Sequence, residues 1–392
     1  MIKIAVDVGT TNIDMAFYDS DKNIIIFEKS FHNRQSLYGR DVINRINTVK
    51  RDRSFIVKLK ELAVSDLLAA IDTEVADNKF KYSDIDKICL SGNTTMISIL
   101  LEYDISGMGE SPYPTVLKKS VITNAYKIFG NNIKFNCDVL LTGCVSAFIG
   151  GDILSGYNYL SNIHKAGFNL NTYYSISEST DSEGLYLDDK YNCLFIDLGT
   201  NGEMILNHKG CLLASSAACG PAFEASLKKQ NVYGSSALDA LSLLLVTGRM
   251  SDSGILKDDY MENGININNI HITQDIIREI LLAKAAIASC METLLKYAHM
   301  SFEDIDKVYI AGGFGSYLNI DNAIRLGLIP KAFKNKTGIC GNTSLNGALL
   351  ILKGKSMLEK LDRLSDEINV VSLTESEKYN ECLINNMFFK EK

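Results

Sequence analysis

The sequence lacks the features that mark membrane, secreted and nucleic-acid-binding proteins. None of its apolar runs approaches the roughly 20 residues that a membrane-spanning helix needs. Its first residues, MIKIAVDVGTT, are too short for a secretory leader and lead directly into patterned structure. The net charge is −7, and no concentrated Lys/Arg run offsets it. We therefore expect a cytoplasmic globular protein that binds neither nucleic acid nor a membrane.

Closely spaced metal ligands are also missing. The nine cysteines form no C-x-x-C pair and no zinc-like cluster, and the five histidines share no motif. Several cysteines lie in apolar, strand-like runs such as CLFID and ICLSG, which favours buried, reduced thiols. An iron–sulfur cluster needs several thiolates, so we expect none within this chain; a cluster shared between two subunits stays open.

What the chain does have is one pattern that occurs twice in 392 residues. AVDVGTTNIDMAFYD, near the N-terminus, and CLFIDLGTNGEMIL, at 193–206, each run from an apolar strand through an aspartate and a Gly-Thr turn into a second strand. Turn residues divide each region into three predicted strands, at 2–8, 12–18, 23–29, 193–197, 201–207 and 210–216.

Helices and further strands follow each hairpin in the same order. The predicted strands are 85–91, 138–143, 306–312 and 337–341, and the predicted helices include 38–50, 55–76, one from Asn93 or Thr94, VSAFIGGDILSGY, 221–229, 235–249, 274–299, 319–327 and NTSLNGALLIL. The acidic stretch 175–190 separates the halves. We predict two similar α/β halves, 1–190 and 191–392, with a ligand cleft between them and a C-terminal appendage of strands and loops.

The two Asp-x-Gly-Thr turns predict a phosphate site. Glycine lets the backbone turn and bring N–H groups close to an anion, and a strand-end carboxylate can hold the waters of Mg²⁺. One copy is weak evidence, because the pattern is common in plain hairpins, but two equivalent copies suit a polyphosphate with its metal. The predicted ligand-binding residues are Gly9, Thr10, Thr11, Asn12, Gly199, Thr200, Asn201 and Gly202, with Asp7 and Asp197 as metal ligands and catalytic residues.

A third motif, YIAGGFGSY at 309–317, ends a strand in adjacent glycines before a helix. Adjacent glycines allow a flat ligand group to lie against the backbone, which predicts an adenosine pocket at Gly312, Gly313 and Phe314. A closely packed strand–helix turn explains the motif equally well on its own.

Together these motifs resemble the superfamily of actin, sugar kinases and heat-shock chaperone ATPases. DVGTT looks like the phosphate-1 loop, DLGTNGE like phosphate-2 and AGGFG like the adenosine motif, while CVSAFIGGDIL and NTSLNGALLIL look like the connecting helices. The resemblance implies two duplicated ribonuclease-H-like (actin-like) halves with a nucleotide cleft between them. Small residues would let the connecting helices cross closely.

Longer strings resemble the ATPase domain of the reductive activators of corrinoid proteins over roughly residues 2–350. They include LYGRDVINRI, SGNTTM, LFIDLGTNGEMIL, SSAACGPAFEAS and IAGGFGSYLNIDNAIRLGLIP. The resemblance implies an ATPase that uses ATP and Mg²⁺ to drive the reduction of a partner's corrinoid from Co(II) to Co(I). Because no cysteine framework is present, we expect the electron to come from a separate ferredoxin-like donor.

The resemblance also implies roles for single residues. Asp152, in IGGDIL, occupies the place of a carboxylate that orients the attacking group, with a solvent-facing helix carboxylate as the alternative. Glu203 would help to place metal or water, or simply face outward from its strand. Lys284 would reach the adenosine, or be a solvated helix lysine. Pro221 and Glu224 would shape the phosphate-2 side, and Cys219 is favoured as a structural thiol.

Three departures from the family pattern bear on function. The iron–sulfur domain of known activators has no counterpart in this sequence. The stretch after GPAFE is shortened to VYGSSALDAL, and Cys219 and Ala225 depart from the usual string. Two other functions therefore stay open: a small-molecule kinase of a sugar or acid, with Asp152 as the base, and a non-catalytic ATP-switched binding protein.

Overall fold

The computed structural model describes residues 1–77, 79–165, 190–219, 234–257, 259–374 and 376–392. Contacts within the chain divide it into two compact units. The first comprises Met1–Leu187 and Asn342–Ile368, and the second comprises Asp188–Gly341 and Asn369–Lys392. The first division lies near the predicted 190/191 boundary. Residues 342–368, however, belong to the first unit, because their leading helix packs on strands of that unit.

A six-stranded sheet forms the centre of the first unit. Its strands are β1 (Ile2–Val8), β2 (Asn12–Asp19), β3 (Ile24–His32), β4 (Ile85–Gly92), β5 (Val121–Asn124) and β6 (Asp138–Leu141). They lie in the order β3-β2-β1-β4-β6-β5. The β1-β2-β3 meander is antiparallel, whereas β4 pairs in parallel with β1 and with β6. β1 and β4 are mostly buried along their length, as expected for strands covered on both faces.

The second unit repeats this arrangement. Its strands are β7 (Asn192–Leu198), β8 (Gly202–His208), β9 (Cys211–Ala217), a separate hairpin of β10 (Ile265–Ile267) and β11 (Ile270–Ile272), then β12 (Lys307–Ala311), β13 (Thr337–Ile339) and β14 (Ile368–Val370). The main sheet has the order β13-β12-β7-β8-β9-β14. An antiparallel meander again leads into two parallel strands, so the predicted duplicated α/β architecture is confirmed.

The helices cover the sheets and carry the connections. Those in the described residues are α1 (Val42–Arg51), α2 (Phe55–Ala76), α3 (Thr94–Leu100), α4 (Ala125–Phe129), α5 (Gly151–Lys165), α6 (Gly234–Val246), α7 (Tyr260–Asn263), α8 (Gln274–Tyr297), α9 (Gly312–Gly315), α10 (Ile320–Arg325), α11 (Thr343–Ile351), α12 (Lys355–Glu367) and α13 (Glu377–Asn385). Side-chain caps fix several of their starts; Asn93, for example, accepts a hydrogen bond from the Met96 amide at 3.0 Å.

The two small-residue helices of the first unit, α5 and α11, pack directly on each other. A Cβ atom added at Gly347 of α11 would collide with the carbonyl oxygen of Ser155 in α5. Only glycine permits this approach, as the small residues of NTSLNGALLIL predict. The close crossing brings the start of α11 to the end of β1.

Four sequence predictions need correction or lie outside the described residues. The last forty residues are mainly helical, in α12 and α13, because Met357, Leu358, Leu361 and Leu364 bury one helical face that charged neighbours obscure in the sequence. VSAFIGGDILSGY becomes helical only from Gly151. The predicted helix 221–229 and the stretch 175–189 lie outside the described residues. Within the described ranges, no helix combines the length and apolarity needed to cross a membrane.

Candidate functional site

Asp7 ends β1 and is held by the first residues of α11. Its Oδ2 accepts a hydrogen bond from Asn342 Nδ2 at 3.0 Å, and its Oδ1 accepts one from Ser344 Oγ at 2.8 Å. Asn342 is also the N-cap of α11, since its Oδ1 accepts from the Leu345 amide at 2.9 Å. The predicted metal ligand is therefore fixed by a helix start some 335 residues away in the chain.

The charges of two further carboxylates act on Asp7. Asp14 of β2 is its direct partner across the β1-β2 ladder, and Asn342 Nδ2 donates to Asp14 Oδ2 at 2.9 Å. Burial, then the charges of Asp14 and Asp152, raise the pKa of Asp7 well above its usual value, against the hydrogen bonds from Ser344 and Asn342. A nearby cation would relieve this accumulation of negative charge.

The loop after β1 is supported from behind by amide side chains. Asn33 Nδ2 donates to the Gly9 carbonyl oxygen at 2.8 Å, and Asn93 Nδ2 donates to Thr10 Oγ1 at 2.9 Å. Thr10 and Thr11 are buried, whereas Asn12 is exposed. Gly9 is needed for space, because an added Cβ would lie 2.5 Å from the Asn12 carbonyl oxygen.

A buried arginine completes this support. Arg45 of α1 donates to the Thr10 carbonyl, to the Gly39 carbonyl at 3.0 Å and to Gln35 Oε1 at 2.9 Å. These acceptors are neutral, and burial lowers the pKa of Arg45 to about 10. The guanidinium also donates to Met96 Sδ at 2.8 Å, so it exchanges hydration for four hydrogen bonds, one of which fixes the backbone of the predicted phosphate loop.

Asp197 ends β7 in the second unit at the place that Asp7 has in the first. It faces Glu203 across the β7-β8 ladder and Ala311 of the parallel strand β12. In the following turn the Gly199 amide donates to the Asn201 carbonyl at 3.0 Å, and the Cys219 thiol donates to the carbonyl of the buried Thr200 at 3.3 Å. Among the described residues the space around Gly199 is open, since the nearest atom to an added Cβ is Asp197 Oδ1 at 4.0 Å.

The glycine motif after β12 adjoins this turn. Gly312 has a φ of +89°, and an added Cβ would collide with Asp197 Oδ1 and lie 2.5 Å from the Leu198 carbonyl oxygen. Gly313 is exposed with open space around it, and Phe314 is buried in the core. The structure thus brings Gly312 of the predicted adenosine motif against the predicted phosphate-2 aspartate.

The remaining predicted residues fall in three different settings. Asp152 lies in the first turn of α5, partly buried, and accepts from the Ile153 amide at 2.9 Å. Glu203 is buried rather than outward-facing. Lys284 is fully buried, and its Nζ donates to the carbonyls of Asn386 and Phe388 at 3.0 and 2.7 Å. Neither a solvated lysine nor one that reaches a ligand fits this position, so we leave Lys284 out of the candidate site. Pro221 and Glu224 lie outside the described residues.

Sequence reasoning missed Asp14, Arg45, Asn342 and Ser344. Asp14 carries a recognisable signal, because a charged residue interrupts the apolar strand NIDMAF two positions into β2. Asn342 before the apolar helix reads as an N-cap, but its contact with Asp7 depends on tertiary structure. No group of three or more His, Cys, Asp or Glu side chains in the described part of the chain is arranged to hold a metal ion.

Comparison with known proteins places this geometry in context. A family model described as the RACo middle region matches residues 2–166, and one described as the C-terminal domain of RACo, the ASKHA domain, matches 191–238 and 228–392. A corrinoid activation enzyme, RamQ, of Eubacterium limosum is 25% identical over 98% of this chain and 70% of its own length. A Co(II) methylated amine-specific corrinoid protein reductase of Methanosarcina barkeri is 22% identical over 97% of this chain and 75% of its own.

Among solved structures, a reductive activator for a corrinoid, iron–sulfur protein superposes with a TM-score of 0.82 at 26% identity. The match covers 100% of this chain and 66% of that one, so the chain spans about two thirds of the solved relative.

Proposed function

Because the chain belongs to the RACo family, we propose that it is an ATP-dependent activator that drives the one-electron reduction of a protein-bound corrinoid from Co(II) to Co(I). The observation that carries the proposal is the pair of aspartates, Asp7 and Asp197, at the ends of equivalent strands in two equivalent sheets. Each precedes a Gly-Thr turn suited to phosphate. The names of the relatives supply the corrinoid protein as the partner.

We assign the ATP phosphates to the turns at 9–12 and 199–202 and the adenosine to Gly312 and Gly313. Backbone N–H groups and threonine hydroxyls are suited to phosphate oxygens. The open space at Gly199 and Gly313 leaves room for a ligand close to the backbone. The Arg45 and Asn93 contacts keep the first turn in place before any ligand arrives.

The residues present fit Mg²⁺ with the nucleotide. The described polar groups around Asp7 are carboxylate, hydroxyl and amide groups, and burial with the charges of Asp14 and Asp152 disfavours the ionised form of Asp7 until a cation binds. Magnesium uses one or two carboxylates and takes its other ligands from water and phosphates, so three clustered side chains are not required. When bound, it would neutralise phosphate charge; Asp7 and Asp197 would orient its waters.

We assign to Asp152 the role of orienting the water that attacks the terminal phosphate of ATP. Glu203 of the second unit is assigned an auxiliary role in placing the metal or this water. Asp152 is partly accessible in the first turn of α5, and its charge acts on that of Asp7. A carboxylate in this position can accept a hydrogen bond from the attacking water and orient it. Positioning of the reactants and neutralisation of phosphate charge, rather than covalent chemistry, would then account for most of the acceleration of ATP hydrolysis.

We propose that the electron comes from a separate ferredoxin-like protein. Burial raises the pKa of Cys290 and Cys340 to about 12, so these thiols are poorly suited to bind a metal as thiolates. The cysteines of the described residues form no disulfide bond, which is in keeping with a reducing compartment such as the cytoplasm.

The proposal is tested by mixing the chain with MgATP, a corrinoid protein in its Co(II) state and a chemical reductant too weak to act alone. Co(I), followed by its absorption spectrum, should form only with ATP, and Asp7→Ala and Asp197→Ala should abolish it. Asp321→Ala is the matched control, because Asp321 is an exposed aspartate paired with Lys334. Equal Co(I) formation with and without ATP would contradict the proposal.

The same preparation distinguishes the activator from the two alternative functions, a small-molecule kinase and an ATP-switched binding protein. ATP turnover that appears only with a sugar or acid acceptor would indicate a kinase. Tight ATP binding without turnover, even with the corrinoid protein present, would indicate an ATP-switched binding protein.

A further inference from the structure

The start of α11 makes more contacts than a helix start requires. Gly341 ends the second unit's segment, and Asn342 begins the return of the chain to the first unit. Both polar atoms of the Asn342 side chain are bonded: its Oδ1 accepts from the Leu345 amide, while Nδ2 donates to both Asp7 and Asp14. Capping of the helix explains the hydrogen bond to the side-chain oxygen of Asn342, but it does not explain the two hydrogen bonds that the side-chain nitrogen donates.

Ser344, two residues further along the chain, extends the contact. Its side chain is almost fully buried, and its Oγ lies 2.8 Å from Asp7 Oδ1 and 3.1 Å from Ser91 Oγ. Ser91 Oγ lies 3.2 Å from the Gly151 carbonyl oxygen, at the start of the helix that carries Asp152. A continuous set of hydrogen-bonding groups therefore links Asp7 to the first turn of α5.

The donors that hold Asp7 and Asp14 are neutral. Each carboxylate oxygen has two acceptor sites, so within the part of the chain that the structure describes the single bonds from Asn342 and Ser344 leave acceptor sites unused. A lysine or arginine in their place would cancel the charge that attracts a cation, whereas an amide and a hydroxyl fix the carboxylates and preserve it. This chemistry suits a metal-bearing ligand that approaches two prearranged carboxylates.

We propose that Asn342 and Ser344 are positioning residues for Mg²⁺-nucleotide: they hold the carboxylates of Asp7 and Asp14 side by side in the orientation that the metal's bound waters require. The inference rests on the proposed ATP binding and assigns it two residues that act through Asp7 and do not themselves touch the nucleotide. It predicts that losing them weakens binding specifically in the presence of Mg²⁺.

The test compares Asn342→Ser with Asn319→Ser by calorimetric titration of ADP, with Mg²⁺ and with EDTA. Serine is a good N-cap but is too short to bridge the two aspartates. Asn319 is the matched control, because it caps α10 through the Asn322 amide at 3.1 Å. Unfolding by denaturant should show similar small losses of stability in both variants.

We expect Asn342→Ser to weaken MgADP binding by about tenfold or more, the effect of losing a hydrogen bond to a charged group. Binding in EDTA should change much less, and Asn319→Ser should bind as wild type does. Ser344→Ala should show the same Mg²⁺-specific loss, which keeps the test decisive if Asn342→Ser folds poorly.

Two results would overturn the inference while the proposed function stands. The variants could bind MgADP with wild-type affinity, or they could lose affinity equally with Mg²⁺ and with EDTA, as a merely structural role requires. Absence of ADP binding in the wild type would instead remove the proposed function, and this inference with it.

Discussion

The turns after β1 and β7 occupy the same place in their sheets but are held in different ways. The first is tied by side chains from distant elements: Asn33, Asn93 and Arg45 bind its backbone and hydroxyl, and α11 binds its aspartate. The contacts described for the second turn are the close fit of Gly312 against Asp197 and Leu198 and the hydrogen bond from the Cys219 thiol to the Thr200 carbonyl. Duplication of the topology therefore does not imply duplication of the contacts that support a site.

Because their described contacts differ, we expect substitutions at the two turns to change the stability of the protein by different amounts. The described supports of the first turn are polar groups whose loss leaves buried partners unsatisfied, and the second turn has a neighbouring position, Gly312, where any side chain would collide with it. Substitutions that remove a polar group and substitutions that add a side chain, made in both units, test whether the two turns are supported as differently as their described contacts indicate.

The largest effect is expected for Gly312→Ala. The residue would have to keep a φ of +89° and place a Cβ against Leu198 and Asp197. Left-handed strain and overpacking together should lower the free energy of unfolding by about 3 kcal/mol. Gly313→Ala is the adjacent control, since its Cβ meets open space, and denaturant unfolding should place it near wild type. Equal stability of the two variants would contradict the close packing.

Arg45→Met should be the next most damaging change. It removes the donors to the Thr10 and Gly39 carbonyls and to Gln35, at a cost of roughly 2 kcal/mol after relief of the buried charge. Arg34→Met removes a half-exposed arginine paired with Asp66, and should cost less than about 1 kcal/mol. Chemical denaturation measures both, and a larger loss for Arg34→Met would show that Arg45 does not support the turn.

Alanine at Gly9 and at Gly199 compares the two turns directly. Gly9→Ala should cost about 1–3 kcal/mol because its Cβ would press on the Asn12 carbonyl. Gly199→Ala should stay within about 0.5 kcal/mol, as for an unobstructed site. Thermal unfolding gives the stabilities, and nucleotide affinity should fall in both variants if each turn contacts phosphate. Unchanged affinity in Gly199→Ala would remove the second turn from the site.

A pH dependence is expected from Lys284, which lies in the interior of the second unit. Burial, with a smaller effect of Lys392, lowers the pKa of Lys284 to about 7. The unfolded chain then binds more protons than the folded one between about pH 7 and pH 10.5, so this group makes stability rise with pH in that window. The rise should be at most about 1.4 kcal/mol per pH unit. Denaturant unfolding of wild type and Lys284→Met at several pH values measures this pH dependence as a change in the difference between their unfolding free energies. A difference that does not vary with pH would contradict the lowered pKa of Lys284.

Local patterns in the sequence predict much of this fold. The strands of both meanders agree with prediction within a few residues, because apolar alternation and turn chemistry are local signals. Asp7, Asp197 and Gly312 are identifiable because they end strands before glycine turns. The predicted nucleotide roles of these residues remain predictions.

The contacts that support the turns are not local and could not be read from the sequence. Arg45 lies 35 residues from Thr10 and Asn342 lies 335 residues from Asp7, so only the packing of α1 and α11 brings them together. Lys284 shows the opposite error: its helix pattern is compatible with an exposed lysine, but the segment at Asn386–Phe388 covers it. Tertiary packing decides which polar residues bind ligand and which support the fold.

The most direct test of the account is calorimetric binding of MgATP and MgADP to wild type, Asp7→Ala and Asp197→Ala. If both turns contact the same nucleotide, the wild type binds one nucleotide per chain and each substitution weakens that binding. Wild-type protein that binds neither nucleotide would contradict the central claim, and loss confined to one variant would restrict the site to a single turn.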